Sequence, residues 1–99
     1  MIAKGSAVVA RRLVVRGRVQ GVGFRHAMSV AAASFGVAGW VRNRQDGSVE
    51  ALVQGDPDAV ERTIAWSRRG PPAARVTAVE VVDEPVSPAR EGFELRPTV

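Results

Sequence analysis

Two short segments carry the residues best suited to chemistry. The first, "GRVQGVGFR" from Gly17 to Arg25, places three glycines ahead of Arg25. Glycine lets backbone turn tightly and approach a ligand without side-chain interference. A loop of this kind that runs into a helix aims successive N–H groups into one concavity, which favours an anion. Arg25 would stand in the first helical turn, where a cation opposes the helix dipole. An anion held between the amides and the guanidinium removes that conflict. The second segment, "GWVRNRQDGSVEALVQG" from Gly39 to Gly55, carries Asn43 near the end of its first strand. An asparagine amide offers one acceptor oxygen and two donor hydrogens, so it orients a water without taking its proton. Each segment also has a plainer reading. A tight strand-to-helix turn accounts for the glycines, and tolerance of the following turn accounts for Asn43. The generic phosphate motifs are absent: His26 stands where GxGxxG needs its third glycine, and no lysine follows the glycines as a Walker loop requires.

The elements that must hold these residues follow from periodicity. "VVARRLVVR", residues 8 to 16, alternates Leu13 and Val15 with Arg12, Val14 and Arg16, a half-buried strand. From Phe24 the spacing changes to helical. Phe24, Met28, Ala31 or Ala32, and Phe35 share one face, and Gly36 supplies the stop. "VAGWVRN" reads as a strand anchored by a buried Trp40, "RQDG" as a turn, and "SVEALVQ" as the hairpin partner with Val49, Ala51 and Val53 facing the core. Asp56, Pro57 and Asp58 open a second helix that buries Val60 and Ile64 and ends at Arg68, Arg69 and Gly70. A strand over 74 to 82 and a short one around Phe93 and Leu95 complete the order. Strand, helix, strand, strand, helix, strand predicts an α+β, ferredoxin-like split βαβ sandwich, its mostly antiparallel sheet covered on one face by two helices.

Composition narrows the chemistry further. Ninety-nine residues predict one domain, with residues 1 to 7 a loose N-terminal segment. The chain has no cysteine, which excludes disulfides and thiolate chemistry, and a single histidine, which excludes a multi-histidine metal site within one chain. Neither a metal nor a cofactor is expected. No apolar run approaches the roughly 20 residues of a membrane span, and no signal peptide is legible, so a cytoplasmic monomer is the expectation. The net charge of +4 rests on thirteen arginines against one lysine, which suits anionic partners. A codon bias towards Arg, Ala and Val accounts for the same counts.

Taken together, the two segments resemble the signatures of the acylphosphatase family. "VRGRVQGVGFR", Val15 to Arg25, matches the first, and "GWVRNRQDGSVEALVQG" matches the second. "GPPAARVTAVEV" at 70 to 81 and "FELRPT" at 93 to 98 agree, so the likeness runs over about residues 8 to 98. It implies hydrolysis of acyl phosphates, carboxyl–phosphate mixed anhydrides, with inorganic phosphate as product and inhibitor. It also implies a phosphate-binding role for Arg25 and a water-positioning role for Asn43. The backbone amides of Arg18, Val19, Gln20, Gly21, Val22 and Gly23 would hold phosphate oxygens. "HAMSVAAASF", after Arg25, is richer in alanine than the family pattern.

Two other classes compete. An RNA-binding module shares the topology and would use the arginines, but aromatics are 5% of the chain, leaving little to stack on bases. A regulatory domain that binds carbamoyl phosphate resembles the family too, although no following domain is legible. His26, which adjoins Arg25, reads either as a residue that tunes the site or, more plainly, as a solvent-facing or packed helix histidine. Arg16, Arg18, Arg42 and Arg44 read either as a positive approach field or as solvated strand positions.

Overall fold

The computed structural model describes residues 7–99; the expected loose segment at 1 to 7 therefore lies, but for Ala7, outside the described residues. Seven elements follow in order: β1 (Val9–Arg18), α1 (Phe24–Phe35), β2 (Ala38–Asn43), β3 (Val49–Gly55), α2 (Pro57–Arg69), β4 (Arg75–Asp83) and β5 (Phe93–Arg96). The strands form one sheet in the order β4-β1-β3-β2-β5. All neighbours are antiparallel except β2 and β5, which run parallel. This is the ferredoxin-like α+β arrangement that the periodicity predicts.

The period-two positions explain the core. Leu13 and Val15 of β1, Val41 of β2, and Val49, Ala51 and Val53 of β3 are fully buried on the face that the helices cover. α1 meets them with Phe24, Met28 and Ala32, settling the helical stripe on Ala32 rather than Ala31. α2 adds Val60 and Ile64. Its start is capped as the sequence predicts: the Asp56 carboxylate accepts from the Asp58 N–H at 3.2 Å, Pro57 takes the first helical position, and Arg68 and Arg69 end the last turn. Phe24 also packs edge-on to Trp66 of α2, with ring centroids 5.4 Å apart. The first residue of α1 is thereby fixed beside Arg25.

The helix-free face departs from the alternation. Val14 is only 4% exposed, though it points away from both helices. Its cross-strand partners are Glu50 and Glu80. Arg12, two residues before it, reaches Glu50 at 3.4 Å, and Arg16, two residues after, reaches Glu80 at 2.8 Å. Arg12 and Arg16 thus flank the valine along β1, each paired with a glutamate of a neighbouring strand. Trp40 is buried as expected, at 8% exposure, but on this face rather than in the core. Arg42 and Arg96 stand over its ring at 4.6 and 4.9 Å, a cation–π stack.

Glu50 is the centre of that face. Its side chain is 9% exposed and joins Arg42 at 2.8 Å to Arg12 at 3.4 Å. Glu50→Ala takes the carboxylate from Arg42 and leaves Arg12 with Glu84 alone, at 3.3 Å. Both arginines reach water, so the cost is held to about 1–2 kcal/mol. Urea unfolding reads this directly, and a midpoint equal to wild type would show the lattice contributes nothing.

Candidate active site

The strand β1 carries a bulge between Arg16 and Gly17, runs on to Arg18 and hands over to the glycine loop. Val19 is buried in the core and anchors the loop from below. Gly21 and Gly23 both take left-handed backbone, with φ of 73° and 77°. A residue with a Cβ is strained in that conformation, which is why the turn needs glycine at both places. Gly23 is the N-cap of α1 and contributes no side-chain cap, and the first turn holds no acidic residue. The N–H groups that open α1 are thus left to whatever ligand arrives. Arg25 stands in that turn. Its Nη1 donates to the carbonyl of Arg96 at 3.2 Å, so the C-terminal strand supports the guanidinium from behind.

Asn43 arrives from the other side, as the last residue of β2. Its backbone is held on two flanks: it pairs with Val49 of β3, and its carbonyl accepts from the Val99 N–H at 3.1 Å. The turn beyond it closes through Arg44, whose N–H donates to the Ser48 carbonyl at 2.9 Å. Asp46 organises the tip, accepting from the Ser48 hydroxyl at 2.6 Å and the Ser48 N–H at 2.9 Å. These bonds, the hydroxyl first, hold the Asp46 carboxyl below its ordinary value. A lowered carboxyl supports the turn above the ordinary carboxylate pKa and loses that support as pH falls through the lowered one. Gln20 ties the glycine loop to the same turn, its Nε2 donating to the carbonyls of Arg44 and Ser48 at 2.7 and 2.9 Å.

These parts enclose a cavity of about 210 Å³. Val19, Gln20, Gly21, Gly23, Arg25 and Asn43, all expected from the sequence, line it together. Arg18 and Val22 do not. Arg18 is still strand, paired with Arg75 of β4, and the Val22 side chain packs against the core. Three further residues line the cavity that the sequence reading left out of the site: Phe24, His26 and Leu95. His26 had a visible signal, since it adjoins Arg25 and is exposed. Leu95 had none, because only the parallel pairing of β5 with β2 brings it there. It is 50% exposed and gives the rim an apolar wall. No carboxylate stands among the described residues that line the cavity.

An uncapped helix start, a glycine loop, an arginine and an asparagine can hold a tetrahedral anion and a water. They offer no strong acid or base. Comparison with known proteins identifies the family. The family model for acylphosphatase matches residues 11–95. The acylphosphatase of Acidovorax sp. (strain JS42) is 52% identical over 98 residues, covering 99% of this chain and 100% of its own length. That of Nitrobacter hamburgensis is 61% identical over 79 residues, 80% of this chain and 78% of its own. Among solved structures, the acylphosphatase from Bacillus subtilis superposes with a TM-score of 0.85 at 35% identity, covering 89% of this chain and 98% of that one. Full-length HypF, in a phosphate- and nucleotide-bound form, matches 92% of this chain with 12% of its own, at a TM-score of 0.83 and 26% identity. With a model spanning most of the sequence and relatives more than half identical along nearly all of it, this chain belongs to the acylphosphatase family.

Proposed function

We propose that the chain hydrolyses acyl phosphates to a carboxylate and inorganic phosphate, with Arg25 and the loop amides between Val19 and Gly23 holding the phosphoryl oxygens and Asn43 positioning the water. Family membership and fold support the reaction. The observation that carries the residue roles is that Arg25, Asn43 and the loop line one cavity at an uncapped helix start.

The chemistry suits such a site. Water attacks phosphorus as the phosphorus–oxygen bond to the acyl group breaks. The leaving carboxylate has a conjugate-acid pKa of about 4, like an aspartic or glutamic side chain, so it departs without a general acid. Both protons of the water stay with the phosphate that forms: a dianionic acyl phosphate and water yield a carboxylate monoanion and dihydrogen phosphate. Catalysis then rests on holding the phosphoryl charge and aligning the nucleophile. Leu95 gives the acyl side an apolar wall without directional contacts, which fits a site that grips phosphate and tolerates many acyl groups.

The test follows the loss of benzoyl phosphate absorbance in the ultraviolet, with a chelator present throughout. Rapid hydrolysis is the expected result. Folded protein that never exceeds the uncatalysed rate would leave a phosphate-binding domain and overturn the proposal.

A further inference from the structure

We propose that the side chain of Gln20 is the brace that sets Asn43 against the phosphate loop, which makes it a positioning residue for the attacking water. The inference rests on the acyl phosphate reading above. Gln20 is the sole residue from Val19 to Gly23 with a polar side chain; the others are valines and glycines. Its Nε2 carries two hydrogens. One goes to the carbonyl of Arg44 at 2.7 Å and the other to that of Ser48 at 2.9 Å. Both hydrogens are committed, so the plane of the amide is set.

The two acceptors occupy a telling place. Arg44 directly follows Asn43, and Arg44 with Ser48 closes the turn between β2 and β3. The loop and the hairpin come from opposite sides of the cavity, and Gln20 fastens one to the other where Asn43 leaves its strand. Among the described residues, Asn43 is otherwise anchored through its backbone, by Val49 and Val99. A shift of the turn would carry Asn43 away from the phosphorus while leaving Arg25 in place, because Arg25 is supported by Arg96 on β5. Glutamine also serves here without adding charge: a glutamate would lack the hydrogens and set an anion beside an anion site.

Losing the brace orphans nothing. The Arg44 carbonyl still accepts from the Gly47 N–H at 3.1 Å, and the Ser48 carbonyl from the Arg44 N–H at 2.9 Å. Gln20→Met, which keeps the length of the side chain and drops both hydrogen bonds, should therefore fold.

The experiment compares wild type, Gln20→Met, Asn43→Ala and the double variant, measuring benzoyl phosphate turnover and inhibition by inorganic phosphate. Gln20→Met is expected to lower kcat roughly 10- to 100-fold, as a misplacement of order 1 Å does. Phosphate inhibition stays close to wild type. The double variant turns over within about twofold of Asn43→Ala, because Gln20 acts through Asn43. An unchanged kcat in Gln20→Met overturns the inference, and so do losses that multiply in the double variant. Phosphate affinity falling in step with kcat would make the Gln20 side chain part of the cradle and overturn it equally. If circular dichroism shows Gln20→Met unfolded, Gln20→Asn makes the same comparison with an amide too short to reach both carbonyls. Absence of turnover in wild type would instead overturn the function itself, and that arm is read first.

Discussion

Arg25→Gln is expected to lower kcat/KM for benzoyl phosphate by about 1,000-fold or more, the scale on which an arginine opposing transferring phosphoryl charge acts. Glutamine keeps some hydrogen-bonding reach but loses both the charge and the planar fork that matches phosphate oxygens. Arg25 shares its cavity with loop residues Gly21 and Gly23 and draws support from the Arg96 carbonyl. Its removal should therefore weaken phosphate inhibition together with turnover, since ground state and transition state both carry the phosphoryl charge. Steady-state kinetics with phosphate as competitor reads the two effects at once. Wild-type phosphate inhibition in Arg25→Gln would show that the loop amides bind the anion unaided, and the assignment of Arg25 would fall.

Asn43→Ala should separate those two quantities. Asn43 carries no charge for phosphate to meet, and it enters the cavity from β2, opposite the helix start. On the proposed roles, deleting its amide removes the group that orients water. Turnover is expected to fall roughly 100-fold, the usual loss when one oriented polar contact in a transition state is deleted. Inhibition by phosphate should stay close to wild type. The contrast between the two variants matters more than either loss, because a general collapse of the site would move both quantities in both proteins. If Asn43→Ala bound phosphate much more weakly, the division between a binding arginine and a water-orienting asparagine would not stand.

The glycine loop was legible in the sequence for a local reason. Left-handed backbone at Gly21 and Gly23 is a property of single residues, and the change from period two to helical spacing at Phe24 needs a dozen residues to see. The caps of α2 were legible on the same ground, since Asp56, Pro57 and Asp58 act within one turn of one another. Expected strand limits drifted by one or two residues, with β1 running to Arg18 and β4 to Asp83. Hydrogen bonds to neighbouring strands decide where pairing ends, and these are not local.

Tertiary structure alone decided which side of the sheet took Trp40. Trp40 and Val41 are adjacent and both apolar, so alternation offers no means of choosing between them. Pairing of Val41 with Ala51 sent the valine to the helices and the tryptophan to the arginines. Val14 is buried for a related reason: it lies between β3 and β4, with Glu50 and Glu80 as its cross-strand partners. The cavity wall at Leu95 and the link from Gln20 to Arg44 and Ser48 depend in the same way on strand order β4-β1-β3-β2-β5. Residue type and spacing determined which groups this protein can offer to an anion and a water, because those properties belong to single residues and short turns. Long-range pairing decided how far apart the groups stand, because that distance is set by which strands lie side by side.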